Sequence, residues 1–350
     1  MYWPGGQKRR RPTRFFPSVR VKSKIEFWDD FFKGSRLACA RLITKVENAP
    51  ALVPEIRDRI IPCLRGAVRI GITGPPGVGK STVTASLAGL AVKAGRKIGI
   101  IAVDPSSPFT GGAFLGDRVR MQNLIGNPNV FIRSQASREG HGGLSPTTPY
   151  VADILDAFGF ERILIETVGV GQAELDVLGC ADLVVLVLQP GTGDVIQALK
   201  AGIIEVADLI LVNKADMPGL ESLLDALKFL FDMNARPKAK PIPPILTASA
   251  LNDQGIDELQ AELEKLIEGQ ASSGFLKQKK LARLEGEIKA AIQNEIWEKF
   301  RAAAGPEADI AEAAKRLDDD GRSPYDYIRD LGRRVSLKFT TENPHGEHRP

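Results

Sequence analysis

Short apolar runs alternate with longer amphipathic segments through the middle of the chain. The runs lie at 68–73, 98–103, 130–133, 162–166, 183–188, 209–212 and 245–247. Parallel strands that are buried on both faces are continuously apolar rather than alternating, and the run 183–188 has this form. The amphipathic segments between the runs predict helices that connect parallel strands through right-handed crossovers. The pattern therefore predicts an α/β fold, a doubly wound and mostly parallel sheet.

Helical periodicity continues on both sides of this predicted sheet. Apolar residues recur at helical spacing over 25–46, and prolines then interrupt the pattern. Beyond the sheet, 275–300 predicts a long charged helix, and 308–317 and 324–331 predict two shorter ones. The predicted organisation is a basic, disordered tail at 1–24, a helical segment at 25–63, the α/β domain at 64–270, a helical arm at 271–340 and a disordered tail at 341–350.

Composition narrows the class of protein. With 43% hydrophobic and 26% charged residues the chain resembles a globular protein, and we expect no membrane-spanning helix because every apolar run is short. The three cysteines lie far apart and form no metal-binding pair, which favours free thiols in a reducing compartment, and we expect the cytoplasm. They are Cys39, Cys63 and Cys180.

The net charge of +4 is concentrated at the start of the chain, where lysines and arginines precede the first acidic residue, Glu26. We interpret this cluster as a solvated tail rather than a surface for nucleic acid or lipid headgroups. A mitochondrial transit peptide, with a location in the matrix, is the alternative. The prolines of the segment disfavour it because they interrupt an amphipathic helix.

A phosphate-binding loop lies between the first predicted strand and the helix after it. Residues 74–81 match the pattern GxxxxGK[ST], and this position between strand and helix is the one that the motif requires. Its glycines let backbone N–H groups converge on phosphates at a helix amino terminus. Lys80 is expected to reach the β- and γ-phosphates, and the Ser81 hydroxyl to bind magnesium. The predicted nucleotide-binding residues here are Gly74, Pro75, Pro76, Gly77, Val78, Gly79, Lys80, Ser81 and Thr82.

A second loop, Asn213-Lys214-Ala215-Asp216, follows a later strand. Ligands of open α/β sheets bind at the carboxyl ends of the strands, which is where this loop begins. The Asp216 carboxylate can accept two hydrogen bonds from guanine that adenine does not offer, so the loop predicts guanine recognition. Asn213 would brace the loop and Lys214 would cover the base. A backbone wall for the base is expected from Ser249, Ala250 and Leu251.

Acidic residues at loop starts are candidate magnesium ligands, together with Ser81. Asp104 and Glu166 each end a predicted strand, at the same edge of the sheet as Lys80. Asp117 lies in a glycine-flanked loop, where it could instead cap the next helix.

The loop 168–172 is a candidate switch. Gly169 is placed to donate its N–H to the γ-phosphate, so that the loop would change state when this phosphate leaves. Gln172 is a candidate for positioning the attacking water, and a polar residue at a helix start is the alternative interpretation. The predicted catalytic residues are Lys80, Asp104, Glu166, Gly169 and Gln172.

These segments together resemble the MeaB, MMAA and ArgK group of GTPases, which are associated with methylmalonyl-CoA mutase. The resemblance covers residues 64–270. The glutamate of Glu166-Thr167-Val168-Gly169, in place of the more widespread aspartate, separates this group from Ras-like GTPases. The segments that carry it are 74–82, Val103-Asp104-Pro105-Ser106-Ser107, Leu115-Gly116-Asp117-Arg118, 166–172 and Asn213-Lys214-Ala215-Asp216.

The resemblance implies a P-loop GTPase domain with helical extensions at both ends, and magnesium-dependent hydrolysis of GTP to GDP. It implies a chaperone that protects or reactivates an adenosylcobalamin-dependent acyl-CoA mutase and gates delivery of the cofactor. It also implies a homodimer, with the helix at 275–300 in the dimer arm. An additional switch, which relays the nucleotide state to the mutase, would contain Gly191, Thr192, Gly193, Asp194 and Lys200.

One loop departs from the family pattern. Residues 137–143 carry Arg138-Glu139 where the order threonine-arginine-glycine is expected, so this loop is assigned no catalytic role.

Three other classes of protein stay open. A metal-insertion GTPase of the hydrogenase or urease accessory type would need soft or imidazole ligands, which are scarce here. A kinase-like phosphotransferase would need a base on the acceptor hydroxyl, for which we find no motif. A GTPase bound to nucleic acid would depend on the basic tail alone.

Overall fold

A parallel sheet forms the centre of the computed structural model, which describes residues 25–104, 121–136, 144–167, 176–191, 202–233, 242–304 and 310–334. Its strands are β1 (Val68–Thr73), β2 (Ile98–Asp104), β3 (Val130–Ala136), β4 (Arg162–Glu166), β5 (Leu183–Leu188), β6 (Leu209–Val212) and β7 (Ile245–Thr247). They lie in the order β3-β2-β4-β1-β5-β6-β7, and every neighbouring pair is parallel. This order confirms the predicted doubly wound α/β fold.

Two strands are longer than the apolar runs that predicted them. β2 continues to Asp104, and β3 continues to Ala136 rather than ending at 133. Polar residues extend β3 because they still pair with β2, Ser134 opposite Ala102 and Gln135 opposite Val103. The Gln135 side chain is buried and bonded to neighbouring side chains, so its polarity is satisfied inside the fold.

Helices cover both faces of the sheet. Val185 and Val187 of β5 belong to one core cluster, and Leu186 and Leu188 belong to another on the opposite face, which explains why this strand is apolar throughout. The described helices are α1 (Trp28–Phe32), α2 (Arg36–Asn48), α3 (Val53–Ile60), α4 (Lys80–Lys93), α5 (Thr148–Phe158), α6 (Ile203–Val206), α7 (Leu220–Met233), α8 (Ile256–Ser272), α9 (Phe275–Ala304), α10 (Ile310–Asp319) and α11 (Pro324–Arg334).

The helical prefix is split rather than continuous. The sequence pattern predicted helical structure over 25–46, but α1 ends at Phe32 and α2 begins at Arg36. Gly34 has a positive φ of 88°, which ends the first helix, and the Ser35 hydroxyl accepts the Ala38 N–H and caps the second. Both helices share one core cluster with α5 and with strands of the sheet, so this prefix is packed onto the α/β domain.

The carboxyl-terminal helices follow the predicted order with slightly different bounds. α9 has 30 residues and is about 45 Å long. Apolar side chains stay exposed along it, at Leu281, Leu284, Ile288, Ile292 and Ile296. Over the part of the chain that the structure describes, none of the helices combines the length and the apolar character needed to cross a lipid bilayer.

Candidate nucleotide site

The P-loop begins where β1 ends and leads into α4, as the motif requires. Gly74 has a φ of 143°, and a Cβ atom there would lie 2.1 Å from the carbonyl oxygen of Val187. Gly79 has a φ of 95°, and its Cβ would lie 2.4 Å from the Asn213 side chain. The glycines therefore allow both the left-handed turns and the close approach of β5 and the base loop to this segment.

Lys80 is held inside this loop. Its ammonium group donates to the carbonyl oxygens of Gly74 at 2.8 Å and Pro75 at 2.9 Å, and the side chain is buried. Pro76 and Gly77 are exposed at the tip of the loop, and Val78 is buried beneath it. The cation thus lies where the loop turns towards the amino terminus of α4, the position from which it can reach nucleotide phosphates.

Ser81 and Glu166 meet at the carboxyl edge of the sheet. The Ser81 hydroxyl donates to Oε1 of Glu166 at 2.6 Å, and both residues are buried. Thr167, the next residue, donates its hydroxyl to the buried Thr73 hydroxyl at 3.0 Å and its N–H to the Ile72 carbonyl. The end of β4 is therefore tied to β1 directly beneath the P-loop.

The other predicted metal and catalytic residues lie at or beyond the described residues. Asp104 ends β2, and Ala102, two residues before it, pairs with Glu166, so these two strand ends are adjacent. The structure describes the backbone of Asp104 but not its side chain. Asp117, Gly169 and Gln172 lie outside the described residues.

The base loop is joined directly to the P-loop. The Asn213 amide donates to the Val78 carbonyl at 2.8 Å, and the Lys214 ammonium donates to the Gly77 carbonyl at 2.8 Å. The side-chain carbonyl oxygen of Asn213 accepts a hydrogen bond from the Ala250 N–H at 3.0 Å. Asn213 thus connects the P-loop, its own loop and the loop after β7.

Asp216 has a partner that the sequence pattern did not reveal. The Ser249 hydroxyl donates to Oδ1 of Asp216 at 2.5 Å and lowers the pKa of that carboxyl below its ordinary value. We expected Ser249, Ala250 and Leu251 to contribute backbone only. A serine two residues beyond the strand that follows an Asn-Lys-x-Asp loop was the available signal, because adjacent parallel strands bring their carboxyl ends together.

The remaining predicted residues are Thr82, Leu251 and the partner switch. Thr82 and Leu251 line one groove of about 560 Å³, which continues along α4 and α8, and Leu251 is 87% exposed. Gly191 lies in an exposed turn after β5 with a φ of 78°. The other residues of the predicted partner switch, Thr192, Gly193, Asp194 and Lys200, lie outside the described residues.

The fold and the two joined loops define the class of this protein: it is a P-loop GTPase, an enzyme that binds guanine nucleotides. Within that class, the chain belongs to the family described as methylmalonyl Co-A mutase-associated GTPase MeaB, whose model matches residues 39–305. This match confirms the family resemblance inferred from the sequence.

Relatives and a solved structure agree with this family. GTPase ArgK of Escherichia coli (strain K12) is 36% identical over 260 residues, 70% of this chain and 76% of that protein. The methylmalonic aciduria type A homolog, mitochondrial, of Mus musculus is 32% identical over 287 residues, 77% of this chain and 69% of that protein. The crystal structure of LAO/AO transport system kinase has a TM-score of 0.63 and 26% identity, covering 87% of this chain and 95% of that chain.

Proposed function

We propose that this GTPase protects or reactivates an adenosylcobalamin-dependent acyl-CoA mutase, of the methylmalonyl-CoA mutase type, and gates delivery of the cofactor to it. The observation that carries the proposal is the match to the family of mutase-associated GTPases, which spans both nucleotide loops and all of α9. The name of the mouse relative refers to methylmalonic aciduria, which supports a client enzyme of this chemistry.

In the proposed mechanism, the P-loop holds the phosphates and Asp216 holds the guanine base. Lys80 transfers its hydrogen bonds from loop carbonyls to the β- and γ-phosphates. Ser81 and Glu166 offer a hydroxyl and a carboxylate, the oxygen ligands that magnesium prefers. Asp104, at the end of the adjacent strand β2, and Asp117 are the further candidate carboxylates. Magnesium, when bound, offsets the negative charge of the phosphates.

Two loops would report the state of the nucleotide. Residues 168–172 follow Thr167, whose bonds to Ile72 and Thr73 give this loop a fixed starting point. Gly169 would sense the γ-phosphate and Gln172 would position the attacking water. The partner switch, Gly191 to Lys200, starts at the end of β5, next to the P-loop strand β1, and would carry the signal to the mutase.

We also propose that the chain forms a homodimer through its carboxyl-terminal arm. The apolar side chains along α9 from Leu281 to Ile296 are exposed at intervals of three or four residues, which places them along one side of the helix. Apolar stripes of this kind on a long helix are commonly buried against another helix. A second copy of α9 supplies such a surface.

Turnover of GTP in the presence of candidate clients tests the proposal. Purified methylmalonyl-CoA mutase and isobutyryl-CoA mutase are each added to the full chain, and phosphate release is measured with and without them. We expect one mutase to raise turnover, and the variant Lys80→Ala to remove the increase because its phosphate contacts are lost. Unchanged turnover with every adenosylcobalamin-dependent mutase, together with no co-purification, would contradict the proposal.

The same assay separates a phosphotransferase from a GTPase chaperone. The related protein of known structure is named as a transport system kinase, which makes phosphotransfer the alternative to test. With GTP labelled at the γ-phosphate, we expect all label in inorganic phosphate. Label on the mutase or on a small acceptor would instead favour phosphotransfer.

A further inference from the structure

A chain of hydrogen bonds supports the guanine-reading aspartate from behind. Ser249 donates to Oδ1 of Asp216 at 2.5 Å, and the Asn252 side-chain amide donates to the Ser249 hydroxyl oxygen at 2.8 Å. Asn252 belongs to the short 3-10 helix Ala250–Asn252 that follows β7. The chain therefore links the loop after β7 to the carboxylate in the loop after β6.

The direction of these bonds matters because a serine hydroxyl has one proton to donate. When the Asn252 amide donates to the oxygen, it occupies an acceptor position and leaves the proton of Ser249 for Asp216. With one carboxylate oxygen held in this way, rotation of the Asp216 carboxyl group relative to its loop is restricted. A restricted orientation favours the two parallel hydrogen bonds to one base.

The loop that carries Asn252 is closed on itself. Ser249 and Gln254 exchange both backbone hydrogen bonds, at 3.0 Å and 3.1 Å, and the Asn252 N–H donates to the Ser249 carbonyl at 2.9 Å. Asp253 takes a left-handed φ of 53° to make the turn. These contacts place the Asn252 amide over the Ser249 hydroxyl through the backbone alone.

We propose that Asn252 is a positioning residue for guanine specificity, acting through the Ser249 hydroxyl on the Asp216 carboxylate. The inference rests on the assignment of Asp216 as the base-reading residue. Guanine offers a ring N–H and an exocyclic amino group, whereas hypoxanthine offers the ring N–H alone. A carboxylate free to rotate still accepts one bond but loses part of the second, so the preference for guanine over hypoxanthine reports its orientation.

Binding of GDP and IDP, measured by calorimetry on the full chain, tests this inference. We expect Asn252→Ala to lower the GDP-over-IDP preference about threefold, and Ser249→Ala to lower it about tenfold. Asn252→Asp should act more strongly than Asn252→Ala, because an aspartate at this position accepts the Ser249 proton and draws it away from Asp216. Gln254→Ala, which keeps the backbone bridge of the same loop, is the matched control and should leave the preference unchanged.

A double-mutant cycle shows whether Asn252 acts through Ser249. In the Ser249→Ala background, Asn252→Ala should have no further effect on the GDP-over-IDP preference. The inference is overturned if Asn252→Ala alone leaves the preference unchanged while Ser249→Ala lowers it, or if its effect persists in the Ser249→Ala background. Wild-type protein that binds GDP and IDP equally would instead contradict the role of Asp216 itself. Thermal melting of each variant checks that the fold is intact.

Discussion

At the scale of single residues, Lys214 joins the two nucleotide loops from an uncommon backbone conformation. Its φ of 57° is left-handed, which costs energy for a residue with a Cβ atom. This conformation brings the Lys214 ammonium to the Gly77 carbonyl, and the hydrogen bond formed there offsets the strain. Asn213 adds a second connection, to Val78. The base loop and the P-loop are thus expected to move as one unit.

Gly74→Ala should damage the site through sterics alone. A Cβ atom at this position would clash with the Val187 backbone, and the φ of 143° disfavours any residue but glycine. We expect a loss of stability of about 1–3 kcal/mol and a GDP affinity at least about tenfold weaker. Urea unfolding and calorimetry measure the two effects. Gly89→Ala in α4, where a Cβ would meet no atom within 4 Å, is the control and should be neutral or stabilising.

Ser249→Ala should change the pH dependence of nucleotide binding. The Ser249 hydroxyl lowers the pKa of Asp216 by stabilising the ionised carboxylate, so the base-reading form is present above that pKa and is lost as pH falls through it. Without the hydroxyl, the pKa should rise towards its ordinary value of 3.8. The pH at which GDP affinity begins to fall on acidification should therefore be higher in the Ser249→Ala variant than in the wild type. A carboxyl titration by NMR that shows the same Asp216 pKa in both proteins would refute this.

At the scale of elements, charged side chains attach α9 to the amino ends of two central strands. Lys279 donates to both carboxylate oxygens of Asp208 at 2.9 Å, just before β6, and Arg283 pairs with Asp182 at 2.7 Å, just before β5. Both aspartates also accept backbone N–H groups, from Val184 and Arg69. The arm is therefore fixed to the domain by partly buried ion pairs rather than by its exposed apolar side.

Lys279→Met should loosen this attachment. The substitution keeps most of the apolar stem but removes the Lys279 ammonium from the buried Asp208, and removal of one partner of a buried pair is costly. We expect a loss of about 3 kcal/mol in the free energy of unfolding, together with faster proteolysis between α8 and α9. Lys289→Met removes an exposed pair with Glu285 on the same helix and should leave the free energy of unfolding almost unchanged. Equal losses of unfolding free energy from the two substitutions would show that the Lys279–Asp208 pair stabilises the fold no more than an exposed pair does.

At the scale of the whole molecule, the nucleotide loops and the arm lie at opposite ends of the same strands. β5 and β6 carry the ion pairs with α9 at their amino ends, and at their carboxyl ends they lead to Gly191 and to Asn213. All residues of β5 and β6 are buried, so the strands between the two regions form a rigid centre. A dimer built on α9 would place the two nucleotide sites away from the dimer contact.

The proposed dimer can be tested on the exposed side of α9. The double variant Ile288→Glu and Ile292→Glu should be monomeric, because it places charges in the apolar stripe that a second copy would bury. Light scattering of the full chain measures the mass. Ala290→Glu adds a charge on the opposite side of the helix, two residues from each, and should leave the dimer intact. A wild-type monomer, or a double variant that stays dimeric, would contradict the proposed arm.

The strand bounds show how far local pattern determines the fold. Leu183–Leu188 and Leu209–Val212 were predicted with their observed bounds, because a strand buried on both faces must be apolar at every position. The end of β3 was predicted three residues too early, because its last residues include polar ones. These residues belong to the strand only because they pair with β2. The helical spacing over 25–46 did not reveal that two helices share this segment, since the turn at Gly34 is a local break within an otherwise helical pattern.

By itself, the sequence determined the class and the family, because a P-loop between strand and helix and an Asn-Lys-x-Asp loop are local chemical patterns. Only the tertiary structure brought Ser81 to Glu166 and Ser249 to Asp216. Those contacts join residues that are separated along the chain and carry no shared local pattern. Their positions depend on the order and register of the parallel strands, which bring the carboxyl ends of β1, β4, β6 and β7 to one edge.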